Sequence, residues 1–273
     1  MNSRCWINGE TATYIAADDR GLQYGDGLFE TMSVRAGRIT LLDAHLQRLE
    51  SGCQRLRFAP PPLQTVRQHL NAIAHSQDRA ILKLIVTRGR GGRGYRPPVD
   101  AQPNWIVTLH DWPTYPGRWW HDGIRLRVCE TVLGANPAFA GLKHLNRLEQ
   151  VMARAEWQDA DDIQEGLMLD AGGAVIEGTM TNVFAVGTDG TFITPQLDSC
   201  GVAGVMRHYL IERAGRDGVP VQVGRMTLDD IHNAKELFVC NSVIGVWPVR
   251  RVDQHEFPVG EMTRTMQGWA EQA

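Results

Sequence analysis

A lysine in a glycine-punctuated segment is the strongest candidate for a reacting group in this chain. Lys143 follows Gly141, and apolar residues recur at helical spacing from Leu145 onward, so we predict a helix from there to about Trp157. The lysine would then lie where a loop turns into a helix, beside the N–H groups of the first turn and Arg147. Positive surroundings disfavour another positive charge and lower the pKa of an amine, which a Schiff-base lysine requires. The sequence therefore nominates Lys143 as a nucleophile toward a carbonyl carbon.

A Schiff-base lysine implies a carbonyl cofactor or substrate, and pyridoxal 5'-phosphate is the common case. This cofactor also needs a partner for its ring nitrogen and an anion site for its phosphate. Glu177 ends a predicted strand just before a glycine, where its carboxylate could pair with a protonated ring nitrogen. Arg48 lies on the first long predicted helix, and a guanidinium binds phosphate in bidentate fashion. A glycine-bearing loop leads into a helix at Val205 and Met206, whose first N–H groups form an anion site, and Ser242 adds a hydroxyl after a strand.

The segment 88–95 is rich in arginine and glycine. A phosphate-binding P-loop would need a Lys–Ser/Thr pair after its glycines, and none follows here. An arginine–glycine RNA-binding segment would be long and disordered, whereas this one joins two predicted strands. We interpret it as a mobile hairpin loop whose arginines help to bind an anionic substrate, with ordinary surface charge as the alternative.

Composition limits the class of protein. A chain of 273 residues suits one or two domains with a substantial core, and a formal charge of −3 gives no reason to expect nucleic acid or an anionic membrane as a partner. No apolar run is long enough to span a bilayer, and the first six residues lack the apolar core of a signal peptide. Five cysteines without CxxC spacing argue for reduced thiols and against a disulfide framework or zinc site. We therefore expect a cytoplasmic globular protein without a resident metal.

The order of predicted elements indicates an α+β fold. Strands come in blocks with helices set apart, which argues against a doubly wound sheet. Proline and glycine in residues 113–117 predict a linker, so we place a smaller domain at 1–112 and a larger one at 118–273. The first domain is predicted to have two hairpins before residue 40, then two helices and two strands, at 42–56, 63–74, 80–88 and 105–110. The second is predicted to begin with a strand at 124–128 and a β-meander at 166–194. A helix at 205–214, a strand at 236–240 and a final helix at 261–271 are predicted to follow.

Taken together, these motifs resemble the class IV aminotransferase superfamily, the fold type IV enzymes that use pyridoxal phosphate. The resemblance covers nearly the whole chain. It rests on residues 19–31, 45–49, 88–95, 141–150, 177–178 and 204–207. The arginine–glycine loop and the run 143–150 are similar to the lyase branch of the superfamily in particular.

The resemblance implies a fold like that of D-amino acid aminotransferase, with the cofactor in the cleft between two α+β domains, and a homodimer. It implies that Lys143 holds the cofactor and Glu177 pairs with its ring nitrogen. The resemblance also implies that the phosphate is bound by Arg48, the amides of Val205 and Met206 and the Ser242 position. It implies that Thr31 is a second catalytic group. The implied substrate contacts are Arg93, Tyr95 and Tyr24. Many transaminases have Ile–Thr where this chain has Val205–Met206, so the phosphate would rely on backbone groups there.

The implied reaction converts 4-amino-4-deoxychorismate into 4-aminobenzoate and pyruvate. Lys143 would remove the C4 proton, and either Lys143 or Thr31 would protonate the departing enolpyruvyl oxygen; the sequence does not decide between them. The arginine–glycine loop would act in its own active site or in that of the neighbouring subunit. Two alternatives remain open at this stage: a transaminase for D-amino or branched-chain acids, and a scaffold that binds an anion without catalysis.

Overall fold

The computed structural model describes residues 4–158 and 161–273, so the first three residues of the segment searched for a signal peptide lie outside it. The chain divides into two compact units. The first comprises the described residues up to Pro113 together with Leu142–Asn146, and the second comprises Thr114–Gly141 and the described residues of Arg147–Ala273. The sequence predicted that 118–273 form one domain. Leu142–Asn146 departs from that prediction because its backbone pairs with a strand of the first unit.

The first unit is built on a six-stranded antiparallel sheet with the strand order β2-β1-β6-β5-β3-β4. Its elements are β1 (Cys5–Ile7), β2 (Glu10–Thr11), α1 (Arg20–Tyr24), β3 (Gly27–Arg35), β4 (Arg38–Ile39), α2 (Leu42–Arg55), α3 (Leu63–His75), β5 (Arg79–Thr87) and β6 (Asn104–Asp111). Helix α1 lies inside a stretch without predicted structure. Its N-cap residue Asp19 accepts a hydrogen bond from the N–H of Gly21, which starts the helix locally.

Strand β3 presents two faces with different roles. Leu28 and Met32 are buried in the core that also contains residues of α2 and α3, as the two-residue period of a strand requires. Phe29 and Thr31 alternate with them and are half-buried on the opposite face. Glu30 breaks the pattern, because it is a charged residue at a core-facing position and is only 1% exposed.

The second unit contains a mixed sheet with the strand order β12-β11-β10-β13-β14-β7-β8-β9, and β15 pairs with β14. Its elements are α4 (Arg118–His121), β7 (Ile124–Val128), α5 (Leu148–Arg154), β8 (Glu165–Leu169), β9 (Val175–Gly178), β10 (Asn182–Val186), β11 (Phe192–Pro195), α6 (Val205–Arg216), β12 (Val221–Gly224), α7 (Leu228–His232), β13 (Glu236–Asn241), β14 (Gly245–Val252), β15 (His255–Glu256) and α8 (Glu261–Glu271). Parallel pairing joins β11 to β12, β14 to β7 and β7 to β8, and the other pairs are antiparallel.

The predicted meander over 166–194 is wrong, because it forms only as two separate hairpins. Strand β8 pairs with β9 and β10 pairs with β11, but β10 takes β13 as its other neighbour. The turn between β9 and β10 is closed instead by its own hydrogen bonds. The Gly178 N–H donates to the Thr181 carbonyl at 2.7 Å, and the hydroxyls of Thr179 and Thr181 donate to the buried carboxylate of Glu165.

No helix within residues 4–158 and 161–273 has both the length and the apolar character needed to cross a membrane. The five cysteines are free thiols. The same described residues contain no cluster of three or more His, Cys, Asp or Glu side chains that could hold a metal ion.

A largely buried ion triad links the arginine–glycine loop to the rest of the first unit. Asp26 Oδ2 accepts from Arg20 Nε at 2.8 Å and from Arg88 Nε at 2.7 Å. Arg20 also donates to the carbonyls of Gly94 and Tyr95, while Arg88 donates to two carbonyls at the end of α2. Burial alone would raise the pKa of Asp26, but the two guanidinium groups outweigh it and hold that pKa below its usual range.

We predict that Asp26→Ala lowers the free energy of unfolding by about 3–5 kcal/mol, because it leaves two buried guanidinium groups without their carboxylate. Chemical denaturation at neutral pH measures this change. Asp18→Ala is the matched control, since Asp18 pairs with Arg90 on the exposed side of the loop, where solvent screens the two charges, and its loss should change the free energy of unfolding far less. Equal losses in the two variants would contradict the structural role of Asp26.

Candidate active site

Lys143 lies in a non-helical segment that pairs with β3. Its carbonyl accepts from the Phe29 N–H at 2.9 Å, and the Leu145 N–H donates to the Gly27 carbonyl at 3.1 Å. The Lys143 amine lies 4.4 Å from the centre of the Phe29 ring. Helix α5 begins only at Leu148, so the prediction that Lys143 lies at a helix start is wrong. The reason is the pairing with β3, because backbone groups of Lys143 and Leu145 are hydrogen-bonded to that strand and not within a helix.

Thr31 and a second lysine lie on the same face of the first sheet as Phe29. Thr31 is two residues beyond Phe29 on the same face of β3 and is half-buried. Lys83 on β5 is directly opposite Thr31 in the ladder, and its amine lies 5.3 Å from the centre of the Phe29 ring. The structure therefore brings the predicted Lys143 and Thr31 to one face of the first unit, and it also places Lys83 there.

Arg48 on α2 is held by the buried carboxylate of Glu30. Its Nε donates to Glu30 Oε1 at 2.8 Å and its Nη2 donates to Oε2, while His45 Nδ1 lies 2.6 Å from Oε2. Burial alone would raise the pKa of Glu30, but Arg48 and His45 outweigh it and lower that pKa to about 2. The guanidinium is thus held in one orientation by Glu30, whose buried carboxylate also contacts the buried His45.

Sequence reasoning assigned no role to Glu30, although a signal for it exists. A glutamate between Leu28 and Met32 occupies a core-facing position in the two-residue period of β3. A carboxylate at such a position needs a cationic partner, because burying it alone is costly. The nearby helical residues Arg48 and His45 are the candidates for such a partner.

Glu177 is buried at the end of β9. Its Oε2 accepts from the Val202 N–H at 2.7 Å, and Gln150 Nε2 lies 3.4 Å from its Oε1. Burial lowers the pKa of Arg147. The negative charge of Glu177 opposes that shift, because it attracts the Arg147 guanidinium. These neighbours suit an ionised carboxylate, the form that can accept from a protonated ring nitrogen.

The start of helix α6 is the predicted anion site of the second unit. Its first-turn N–H groups, those of Val205 and Met206 among them, have no acceptor inside the helix and can bind an anion. The side chains of both residues are buried, which fixes the helix start against the core. Ser242 is half-buried in the turn between β13 and β14, where Asn241 Oδ1 accepts the N–H groups of the two residues that follow Ser242.

The predicted substrate residues lie together in the first unit. The Tyr24 hydroxyl accepts from the Gly94 N–H at 3.2 Å, and the Tyr24 and Tyr95 rings meet edge to face at 5.5 Å. Tyr95 is 84% exposed and Arg93 is also exposed. Arg88 is bound within the largely buried ion triad and Arg90 pairs with Asp18, so an anion-binding role of the loop falls to Arg93 rather than to those two arginines.

We predict that Glu30→Gln removes a specific part of the acid sensitivity of the fold. The folded-state pKa of about 2 is below the ordinary 4.5, so ionised Glu30 stabilises the fold fully above pH 4.5 and this contribution is lost as the pH falls toward 2. The contribution is about 3 kcal/mol at neutral pH, of which about 2 kcal/mol is lost between pH 7 and pH 3. The free energy of unfolding should therefore fall less in the variant, by about 2 kcal/mol.

Chemical denaturation at the two pH values measures both falls. Glu256→Gln is the control, because Glu256 is exposed on β15 and its removal should leave the fall unchanged. A Glu30→Gln protein with the acid sensitivity of the wild type would contradict the assignment.

Known proteins resemble this chain over nearly its whole length. The sequence model of the family described as amino-transferase class IV matches residues 27–252. An aminodeoxychorismate lyase from Vibrio harveyi is 38% identical over 96% of this chain and 98% of its own length. A putative branched-chain-amino-acid aminotransferase from Methanocaldococcus jannaschii is 29% identical, over 96% of this chain and 93% of its own length.

Solved structures show the same relationship. The crystal structure of 4-amino-4-deoxychorismate lyase from Pseudomonas aeruginosa is 50% identical to this chain, superposes with a TM-score of 0.94 and covers 98% of both chains. The resemblance seen in the sequence and its α+β, fold type IV architecture are thereby confirmed. The chain belongs to the class IV aminotransferase family.

Proposed function

We propose that this protein is a pyridoxal-phosphate-dependent carbon–oxygen lyase that converts 4-amino-4-deoxychorismate into 4-aminobenzoate and pyruvate, a step of folate biosynthesis. The observation that carries the proposal is the similarity to two lyases of this name, at 38% and 50% identity, with almost complete coverage of both partners in each comparison. The candidate site supports it, because each group that the cofactor requires has a matching side chain or backbone segment.

The chemistry of the donor set fits pyridoxal phosphate. When bound, the cofactor would act as an electron sink for the carbon that bears the substrate amine. Glu177 is buried and hydrogen-bonded as a carboxylate, which suits the ring nitrogen, and Lys143 supplies the amine for the aldehyde. The phosphate would be held by three kinds of donor: the Arg48 guanidinium, the first N–H groups of α6 at Val205 and Met206, and the Ser242 hydroxyl.

The reaction needs one base and one acid from the chain. The Lys143 amine would take the proton from C4 of the substrate. The C3–O bond then breaks, its electron pair leaves with the enolpyruvate oxygen, and the six-membered ring becomes aromatic. That oxygen needs a proton, which the Thr31 hydroxyl or the protonated Lys143 can supply. The Lys143 amine lies over the Phe29 ring and Thr31 follows Phe29 on the same face of β3, so we propose that either can serve the same part of a bound substrate.

The substrate carries carboxylates, and the exposed arginine–glycine loop offers partners for them. Arg93 and Tyr95 are exposed, whereas the loop backbone is held by Arg20 and Tyr24. We propose that Arg93, Tyr95 and Tyr24 bind the substrate, in the same subunit or across a homodimer. We place the enzyme in the cytoplasm, and the five free thiols agree with a reducing compartment.

A transaminase is the second candidate, because the relative from Methanocaldococcus jannaschii is named a putative branched-chain-amino-acid aminotransferase. Both activities need the same cofactor residues and differ in the chemical step after proton removal.

A lyase is expected to form equimolar 4-aminobenzoate and pyruvate from 4-amino-4-deoxychorismate. Purified protein supplied with pyridoxal phosphate tests this directly, with D-alanine or a branched-chain amino acid plus 2-oxoglutarate as the parallel assay. Keto-acid formation without 4-aminobenzoate would favour the transaminase. A protein that takes up no cofactor would favour the anion-binding scaffold.

We predict that Thr31→Ala lowers lyase turnover by roughly 10- to 100-fold, because the leaving oxygen loses a positioned proton donor. The absorbance spectrum of the bound cofactor should stay unchanged, since Thr31 is assigned no contact with its ring or phosphate. Thr31→Ser keeps the hydroxyl and should retain most of the activity. Release of 4-aminobenzoate by the three proteins decides the matter, and wild-type turnover in Thr31→Ala would remove Thr31 from the catalytic residues.

A further inference from the structure

We propose that Asn182 is a positioning residue that holds the start of α6, so that the first N–H groups of this helix are presented to the cofactor phosphate in a fixed relation to Glu177. The inference rests on the proposed cofactor site, and it concerns a residue to which neither the sequence nor the family resemblance assigned a role. Its basis is one loop residue, Val202, whose backbone N–H and C=O are each hydrogen-bonded to a buried side chain.

The two side chains bind opposite ends of Val202. Glu177 Oε2 accepts from the Val202 N–H at 2.7 Å, and Asn182 Nδ2 donates to the Val202 carbonyl at 2.9 Å. Glu177 is 4% exposed and Asn182 is 6% exposed, so water competes little for either bond. Glu177 lies near the end of β9 and Asn182 begins β10, which means that both reach the loop from the two ends of one turn.

The turn that carries them is itself rigidly held. The buried carboxylate of Glu165 accepts the N–H and hydroxyl of Thr179, the N–H of Met180 and the hydroxyl of Thr181. These bonds fix the spacing of Glu177 and Asn182, because all the donors lie between them in the chain. The turn therefore determines the position of Val202 through the side chains of Glu177 and Asn182.

The held loop leads directly into the predicted phosphate site. Val202 precedes Val205, the first residue of α6, by only three positions, and Gly204 is the N-cap. The Ala203 N–H donates to the Gly141 carbonyl at 3.1 Å, and the Gly141 N–H donates to the Gly201 carbonyl at 2.8 Å. The loop is thus hydrogen-bonded on three sides, and the direction of the first turn of α6 follows from it.

Asn182 also packs against the helix N-cap. A Cβ atom built on Gly204 would lie 1.9 Å from Asn182 Oδ1, which is far inside van der Waals contact. Only glycine fits there while Asn182 keeps its bond to Val202. This close packing offers a second, independent way to disturb the contact without removing Asn182.

The test compares two ligands that differ only in the phosphate, pyridoxal phosphate and pyridoxal. Dissociation constants are measured by absorbance titration of the full-length protein freed of cofactor. For the wild type, pyridoxal phosphate should bind much more tightly. In Asn182→Ala and Gly204→Ala, we expect the affinity for pyridoxal phosphate to fall about tenfold while that for pyridoxal changes less than about twofold. A role in folding alone would lower the two affinities together and leave their ratio unchanged.

Asn104→Ala is the matched control, because Asn104 in the first unit makes a side-chain hydrogen bond of similar length, 2.8 Å, to the buried Asp19. The midpoint temperature of thermal unfolding should fall in Asn104→Ala, without any change in the ratio of the affinities for pyridoxal phosphate and pyridoxal. A wild-type ratio in both Asn182→Ala and Gly204→Ala would overturn this inference and leave the cofactor site intact. Equal affinity of the wild type for the two ligands would overturn the proposed phosphate site itself.

Discussion

Two backbone hydrogen bonds between residues 143–145 and strand β3 determine where the candidate reacting amine lies. Such close pairing requires glycine at two nearby positions. A Cβ on Gly27 would lie 2.4 Å from the Val86 carbonyl oxygen and 2.9 Å from the Leu145 side chain, and one on Gly25 would overlap the Asn146 side chain. Gly25 also has a φ of +64°, a conformation that glycine adopts without strain. Gly25 and Gly27, just before and at the start of β3, therefore make room for the lysine segment, which connects a local sequence motif to a candidate catalytic group more than 100 residues away.

Carboxylates that are buried or largely buried recur as the means by which this protein orients its binding groups. Glu30 fixes the Arg48 guanidinium, Asp26 fixes the loop through Arg20 and Arg88, and the Glu165 carboxylate fixes the turn between β9 and β10. Such arrangements add little net stability compared with apolar packing, but the loss of one partner is costly. They are well suited to hold a side chain in a single orientation.

Patterns with a short period in the sequence predicted much of the fold. The strand at 124–128, the final helix at 261–271 and the early hairpins agree with the structure, because apolar periodicity and turn residues determine them locally. Three features were not predicted: the non-helical backbone at Lys143, the separated hairpins, and the hydrogen bond from Asn182 to Val202. Each depends on pairing between residues distant in the chain, for which a local pattern holds no information.

We propose that Lys143, and not another lysine, reacts with the cofactor. The chain has three lysines, and the other two are Lys83, which borders the same Phe29 ring, and the exposed Lys235. Reduction of the protein–cofactor adduct with borohydride, followed by peptide mapping by mass spectrometry, identifies the modified residue. We expect the label on the peptide that contains Lys143. A label on Lys83 or Lys235 would contradict the claim.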